Sequence, residues 1–378
     1  MTSQLDVADE HLLRDTVRKV FDHLLPISWV RELMDTDAGW DRQTWGRLVN
    51  ELGIAGIAVS EEFGGSGMTV REAGVVFEES GRRLGPTPLF SVTALAIPLL
   101  TESGDAEACA RWLPGLCDGS LLATVAYGDL HGRLTNEPTV ALTGDRLYGH
   151  AAHVLDAAIS DLVFTLVTTD DGPAIFAVPL DQTGVQVTPL ITLDQTRKQG
   201  HLQFDGAEGI RLHSTDALGA SAYAQAVSWS LLASELVGVA SQSLDITAAY
   251  AKTRVQFGRP IGSFQAIKQK LADMLIYVES GRSAAGAAVA AAASHDPDLW
   301  WIASLAKAYC SQAATKVTEE AIQLHGGIGF TWEHDSHLYF KRARSSEELF
   351  GTPRAHFARV GRHLDKLHAI ATTKGQPT

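Results

Sequence analysis

Two stretches in the second half of the chain combine residue types that suit a phosphate-bearing ligand. The first, YAKTRVQFGRPIGSFQAIKQKLADM (250–274), has Arg254 and Phe257 three residues apart. At this spacing a cation and an aromatic plane can share one face, which suits a phosphate joined to a stacked ring. A plain helix C-terminus explains the same residues, with Arg254 offsetting the macrodipole and Gly258 supplying a left-handed turn. The residues alone leave both interpretations open.

The second stretch, EEAIQLHGGIGFTWEHDSHLYFKRAR (319–344), runs from a helical pattern into Gly326 and Gly327. Gln323 lies four residues before Gly327, so a side-chain amide and bare backbone can approach one ligand. Paired glycines also commonly do no more than end a helix. The segment WEHDSH lacks the HExxH spacing, and consecutive turn residues do not converge on one ion, so we expect no metal site. Neither stretch has the GxGxxG pattern of a Rossmann nucleotide site.

Composition favours a globular protein of two or three domains. The chain has 378 residues, of which 45% are hydrophobic and 20% charged. Its formal net charge of −13 disfavours nucleic-acid binding. Three scattered cysteines without CxxC spacing predict neither a disulfide framework nor a zinc site, and favour a reducing, cytoplasmic location. We expect no signal peptide at Met1 to Glu10 and no membrane span, because the apolar stretches are too short.

Three regions must position these residues. Apolar residues recur at helical spacing from Asp9 to about Cys117, with a glycine-rich loop, SEEFGGSGM (60–68), that calls for positive φ. Short β-rich runs follow from about Leu121 to Leu212, and long helical segments return from Ala217 to Ile370. The sequence therefore predicts a mainly α fold with a central β domain, divided into an N-terminal helical domain (1–118), a β domain (119–215) and a C-terminal helical bundle (216–378).

With these motifs the sequence resembles the acyl-CoA dehydrogenase family over nearly its whole length. The resemblance rests on R-x-x-F-G-x-x-I-x-x-F-Q (Arg254 to Gln265), Q-L-H-G-G-x-G-F (Gln323 to Phe330), EEFGGSG (Glu61 to Gly67) and the helix–sheet–helix order. It implies a β-barrel-like middle domain, a C-terminal four-helix bundle and an FAD shared at a subunit interface. The cofactor-binding residues that it implies are Arg254, Phe257, Gln265, Gln323, Gly326, Gly327 and Thr352.

The base that such an enzyme needs is missing from its usual place. Family members oxidise the Cα–Cβ bond of an acyl-CoA thioester, and a carboxylate removes the α proton while the flavin takes hydride from Cβ. This carboxylate usually precedes a Gly-Thr pair. Counting without gaps from Gly326-Gly327 reaches Gly351-Thr352, and the preceding residue is Phe350.

Other positions offer weak substitutes for that base. In some relatives the base lies on the helix before the Arg-x-x-Phe-Gly motif, at a place that falls near Ser228 here. Glu235 lies about two turns further on, and its plainer interpretation is an interhelical partner. Glu347 and Glu348 precede Phe350 by two or three residues, a shift that turns a helical side chain away. Glu235 and Glu348 remain the weak candidates.

The β domain also departs from the family pattern. A run like T-E-P-x-A-G-S-D and a W-I-T or W-I-S segment usually contact the flavin ring, and neither is recognisable in 126–142 or 147–167. Loss of the base and the ring contacts, with the distal cofactor residues kept, predicts a division of labour between two chains.

Four hypotheses follow for the chain's role. The first is the non-catalytic subunit of an α2β2 heterotetramer, as in actinobacterial family members acting on steroid side-chain CoA thioesters, with a paralogous catalytic partner. The second is a self-sufficient homotetrameric dehydrogenase with a displaced base. The third is a scaffold subunit without flavin, and the fourth is a flavin monooxygenase on the same fold.

Overall fold

The computed structural model describes residues 7–128 and 137–374, and its order of helices, sheet and helices confirms the predicted architecture. Most of the N-terminal stretch in which we expected no signal peptide, and part of the stretch 126–142, lie outside the described residues. The N-terminal helices are α1 (Val7–Leu24), α2 (Ile27–Met34), α3 (Arg42–Leu52), α4 (Val70–Arg83), α5 (Ile97–Glu102) and α6 (Ala106–Cys117), with a π-helical turn at Phe90–Ala96 leading into α5.

Local sequence sets the boundaries of α4, the helix that links the N-terminal region to the rest of the chain. Thr69 and Glu72 form a reciprocal capping box at its start, and Leu84 ends it in the left-handed region. In the loop before it, Gly64 has a φ of 83°, and a Cβ on Gly65 would lie 2.2 Å from the carbonyl oxygen of Val59. The loop therefore needs its glycines.

An eight-stranded sheet forms the middle of the chain. Its strands are β1 (Ala123–Ala126), β2 (Val140–Thr143), β3 (Arg146–Leu155), β4 (Leu162–Thr169), β5 (Gly172–Pro179), β6 (Val185–Pro189), β7 (Gln199–Ala207) and β8 (Ile210–Arg211). They run in the order β6-β7-β3-β2-β4-β5-β8, and β1 pairs in parallel with β4. The β3–β7 register shifts between Ala151 and Val154, and this bulge places His153 at a φ of 56°.

Long helices form the C-terminal region. They are α7 (Ala217–Thr253), α8 (Gln265–Ala293), α9 (Leu299–His325), α10 (Ser336–Glu348) and α11 (Pro353–Lys374), with a small hairpin of β9 (Val255–Gln256) and β10 (Arg259–Pro260) between α7 and α8. Helices α7, α8 and α9 pack against one another, while α10 and α11 lie on α9. None of the described helices is long and apolar enough to cross a membrane.

A buried ion cluster joins the β domain to this bundle. Arg342 of α10 is 1% exposed and donates from Nη1 to Glu235 Oε1 of α7 at 2.8 Å. Its Nε donates to Asp194, in the loop between β6 and β7, and Arg197 of the same loop pairs with the second oxygen of Glu235. Burial alone would lower the pKa of Arg342, but Asp194 and Glu235 raise it above its ordinary value. The cluster keeps all four charges paired.

Asp156 lies beside this cluster, just after β3. It has a φ of 52°, and its carboxylate accepts a hydrogen bond from Ser91 Oγ. Burial raises the pKa of Asp156 to about 6, although Ser91, Arg197 and Arg342 act in the opposite direction. The folded state therefore favours the protonated carboxyl.

Replacing Arg342 with Met should destabilise the fold strongly. It leaves Asp194 and Glu235 buried with too little positive charge, and such a loss costs about 3–5 kcal/mol. The free energy of unfolding from urea titration measures the effect. Arg47→Ala, which removes an exposed pair with Glu51, is the control and should cost less than about 1 kcal/mol. A similar small loss in both variants would contradict a structural role for the cluster.

Asp156→Asn should stabilise the protein above pH 6 and have little effect near pH 4. The folded-state pKa is raised, so the stability that depends on the bound proton is present below about 4 and is lost as the pH rises through about 6. Asn keeps the acceptor for Ser91 and tolerates positive φ, so it avoids that loss of about 1–3 kcal/mol. Urea unfolding at pH 4 and pH 7.5 tests this, and a difference that does not depend on pH would contradict it.

Candidate functional site

Both sequence motifs lie at one end of the helical bundle. The Tyr250 ring near the end of α7 packs on the His325 ring at the end of α9, with centroids 4.5 Å apart. Lys270 in the second turn of α8 pairs with Glu320 of α9. The end of α7, the start of α8 and the end of α9 therefore meet. We call the predicted residues gathered there the cofactor surface, and they are Arg254, Phe257, Gln265, Gln323, Gly326 and Gly327.

The hairpin between α7 and α8 presents Arg254 and Phe257 to solvent. Arg254 follows the last residue of α7, and no carboxylate of the described residues pairs with it. Phe257 lies in the hairpin turn, where its φ is 53° and its side chain 90% exposed. The pair therefore does not share a helical face, as the spacing suggested, but lies on a turn that presents both residues. Gly258 provides the predicted left-handed residue, with a φ of 77°.

The end of α9 offers open backbone beside an exposed amide. Gln323 is exposed on the last turn of α9. Gly326 ends the helix with a φ of 62°, and a Cβ on Gly326 or Gly327 would meet no atom within 4 Å. The first turn of α8, which begins at Gln265, adds unpaired backbone N–H groups and the positive end of a helix dipole. This surface fits an anionic, ring-bearing ligand approaching from outside the chain.

The WEHDSH segment is held by contacts within the protein. His334 Nδ1 accepts a hydrogen bond from the Ser336 hydroxyl at 2.9 Å, and Asp335 pairs with Arg31 of α2. Among the described residues, no group of His, Cys, Asp or Glu is arranged to hold a metal ion. The segment thus helps to attach the N-terminal helices to the end of α9.

Thr352, the remaining predicted cofactor residue, lies on a separate cavity between the β domain and α10 and α11. This cavity has a volume of about 740 Å³, and His153, Phe350 and Thr352 line it. Lys307 of α9 is fully buried beneath it and donates to the carbonyl oxygens of Ser346 and Gly351 at 3.0 and 3.3 Å. These bonds fix the end of α10 and the turn that carries Phe350.

Thr352 and the cofactor surface lie in different parts of the chain, although Leu193 lines both the 740 Å³ cavity and the pocket that includes Gln323. Gln323 lies sixteen residues beyond Lys307 on the continuous helix α9, which corresponds to about 24 Å along its axis. The predicted cofactor set is therefore divided. Thr352 belongs to the chain's own cavity, whereas the other six residues face outward.

Phe350 packs into the protein at the position where a base was sought. Its φ is 59°, and its ring stacks on Phe90 with centroids 5.9 Å apart. The guanidinium of Arg197 lies 5.0 Å from the Phe90 ring. The remaining space beside Phe90, Asp156 and Glu235 has a volume of only about 20 Å³, which is roughly one water molecule.

The other candidate bases lie in different surroundings. Ser228 is buried, and its hydroxyl donates to the carbonyl oxygen of Gln225. Both oxygens of Glu235 are held by the arginines of the ion cluster. Glu347 pairs with Arg344. Glu348 is exposed and lies on the wall of the 740 Å³ cavity.

Several residues that define the site did not emerge from the sequence pattern. Asp194 and Arg197 are separated from Glu235 and Arg342 by long stretches of chain, so no local spacing connects them. For Lys307, the one sequence feature that could indicate burial is its place in an otherwise apolar stripe of a predicted helix. The sequence signal that could have found such buried charges is a charged residue at a position where the helical pattern predicts a core residue.

Comparison with known proteins agrees with this architecture. The family models for the acyl-CoA dehydrogenase N-terminal domain and C-terminal domain match residues 8–120 and 229–364. Acyl-CoA dehydrogenase IpdE2 of Mycolicibacterium smegmatis is 36% identical, over 93% of this chain and 97% of its own length. Acyl-CoA dehydrogenase FadE27 of Mycobacterium tuberculosis is 31% identical, over 90% of this chain and 92% of its own.

Solved structures show the same fold. A chain of a variant of the Tcur3481-Tcur3483 steroid ACAD is 31% identical with a TM-score of 0.88, covering 96% of this chain and 99% of the other. A chain of the ChsE4-ChsE5 complex from Mycobacterium tuberculosis is 29% identical with a TM-score of 0.85, and 98% of each chain is covered. The chain described here therefore belongs to the acyl-CoA dehydrogenase family, whose members bind FAD.

Proposed function

We propose that this chain is the non-catalytic subunit of a heteromeric FAD-dependent acyl-CoA dehydrogenase. In this role it completes a paralogous subunit's cofactor site with its own cofactor surface. The observation that carries the proposal is the combination of an outward-facing cofactor surface with Phe350 at the place of the base. An outward-facing surface suits any assembly that shares FAD across a subunit interface, and Phe350 at the place of the base is what favours the non-catalytic role.

The cofactor surface fits the adenosine and pyrophosphate half of FAD. Arg254 has no competing carboxylate among the described residues, and the bare backbone at Gly326 and Gly327 leaves room for close approach. Arg254 would pair with a phosphate, and Phe257 would offer its exposed ring as a stacking surface. FAD held there would supply the acceptor for the hydride of the substrate's Cβ. This chain's residues bind and orient the distal half of the cofactor.

The aromatic side chain of Phe350 at the place of the base argues against proton abstraction by this chain. A carboxylate that acts as the base must lie within about 3 Å of the substrate's α carbon proton. Here the Phe350 and Phe90 rings and the Arg197 guanidinium occupy the equivalent region. Glu235, held by two arginines, has no free oxygen with which to take a proton. The base is therefore assigned to the partner subunit.

The solved relatives support a two-component assembly and a bulky substrate. The names of the Tcur3481-Tcur3483 steroid ACAD and the ChsE4-ChsE5 complex each join two chains, and the first name specifies a steroid. We infer an α2β2 arrangement acting on a steroid side-chain or similarly branched acyl-CoA. The buried, unpaired Cys109, Cys117 and Cys310 support a cytoplasmic location.

One observation favours an alternative, a homotetramer with a displaced base. Glu348 lies on the wall of the chain's own cavity, where an acyl thioester beside a flavin would lie in a self-sufficient enzyme. Glu348 is the last residue of α10, two residues before Phe350, and it is exposed to solvent. An exposed carboxylate lacks the burial that raises the pKa of a base towards neutrality.

Co-purification with the paralogous subunit should give equal amounts of the two chains and one FAD for each pair. Arg254→Ala in this chain should weaken FAD binding by the complex at least about tenfold, because the phosphate loses a charge-assisted partner. FAD absorbance after dialysis measures both effects. Lys316→Ala, which removes an exposed cation elsewhere on α9, should leave FAD content unchanged. One FAD per subunit in this chain alone, reduced by an acyl-CoA, would refute the proposal, and unchanged FAD content in Arg254→Ala would favour a flavin-free scaffold.

Glu348→Gln should leave the rate of flavin reduction within about twofold of the unmodified complex, since the base lies on the other subunit. Stopped-flow absorbance with an acyl-CoA measures this rate. Glu62→Gln, at an exposed carboxylate in the loop before α4, is the matched control. A loss of several orders of magnitude in Glu348→Gln alone would support the homotetramer with a displaced base.

A further inference from the structure

We propose that the 740 Å³ cavity beside the Phe350–Thr352 turn binds an apolar carboxylate, with Arg359 of α11 as its anion partner. The proposal concerns this chain's own cavity, whose wall includes none of the six residues of the cofactor surface. It does not depend on which subunit performs the dehydrogenation. The argument rests on the size of the cavity, its lining and the surroundings of Arg359.

The cavity suits a small organic molecule with a large apolar part. Its volume lies within the range of pockets that bind small ligands. It opens between the sheet, the loop between β6 and β7, and the start of α11. Most of its wall is apolar, and the main apolar residues are Val125, Leu155, Leu190, Ile191, Leu349 and Ala355.

Arg359 places a cation on this wall without a carboxylate to balance it. Its guanidinium carbon lies 5.1 Å from the Trp229 ring and 5.7 Å from the Trp300 ring. Its Nη1 lies 3.5 Å from His356 Nδ1, and no carboxylate of the described residues pairs with it. Arg359 is half-buried, and its burial, together with Arg362, lowers the pKa of its guanidinium. An anion in the cavity would supply both hydrogen-bond acceptors and charge.

Among the residues that the structure describes, the other charges near the cavity leave this cation uncompensated. Arg344 is neutralised by Glu347. Glu348 is exposed to solvent on the rim, so water screens it. Burial lowers the pKa of His356 to about 3, so its ring is neutral near pH 7. Lys307 adds a further basic group behind the turn, where it donates to Gly351. The balance favours an anion.

The chemistry of these groups favours a carboxylate on an apolar body. A guanidinium offers paired N–H donors that match the two oxygens of a carboxylate. The aliphatic and aromatic wall would cover the rest of the ligand and exclude water, which strengthens the ion pair. Because Phe350 and Phe90 occupy the region where a base would act, the cavity binds such a molecule without altering it.

Octanoate and the uncharged octanol are suitable probes for calorimetric titration of the full chain, alone and in complex with its partner. We expect one octanoate site per copy of this chain. Arg359→Leu should weaken octanoate binding at least about tenfold while changing octanol binding less than about twofold. The octanoate affinity of Arg359→Lys should lie between those of the unmodified chain and Arg359→Leu, because lysine keeps the charge but not the paired donors. Lys316→Ala, at an exposed cation elsewhere on α9, should bind octanoate normally.

Ala355→Phe provides a second test that keeps Arg359 intact. It should weaken octanoate and octanol alike, because the added ring fills the cavity. Neither Ala355→Phe nor Arg359→Leu should change the FAD content of the complex, which separates this proposal from the proposed function. The proposal is overturned if octanoate does not bind, if Arg359→Leu binds it unchanged, or if stoichiometric FAD or coenzyme A displaces it from this chain.

Discussion

The buried cluster of Arg342, Glu235, Arg197 and Asp194 is the constraint on which the rest of the structure depends. It fixes the loop between β6 and β7 against α7 and α10, and so sets the position of the whole β domain relative to the bundle. Four charges in the interior are tolerated only because each has a partner and the geometry is closed. The cavity beside Phe350 exists because the cluster holds both of its walls.

The same cluster determines which chemistry this chain can perform. Glu235 is the one carboxylate of α7 close to the missing base position, yet both of its oxygens are needed to balance arginines. Freeing it would leave Arg197 and Arg342 without their buried counter-charge, which is costly. Arg197 also lies over the Phe90 ring, which stacks on Phe350.

Sequence reasoning predicted the helix–sheet–helix order because apolar periodicity reports which face of each element is buried, and burial is local to the element. It also offered a helix C-terminus at Arg254, where α7 ends, because Gly258 and the nearby Pro260 interrupt a helix in any context. It could not predict the ion cluster, since Asp194 and Arg342 meet only through the tertiary fold. Nor did the spacing of Arg254 and Phe257 reveal a hairpin turn, because two strands of two residues carry no periodicity.

Under the proposed function, the separation along α9 explains how one chain can keep a cofactor surface without performing the dehydrogenation. A long helix fixes the relative positions of its two ends, but a substitution near one end does not change the side chains at the other. Phe350 at one end therefore does not disturb Gln323 and the glycines at the other. The cofactor surface needs only its own helix ends, the hairpin and the packing of Tyr250 on His325. Under the proposed function the partner supplies the base and the flavin-ring contacts, so the internal cavity of this chain need not hold a reacting thioester.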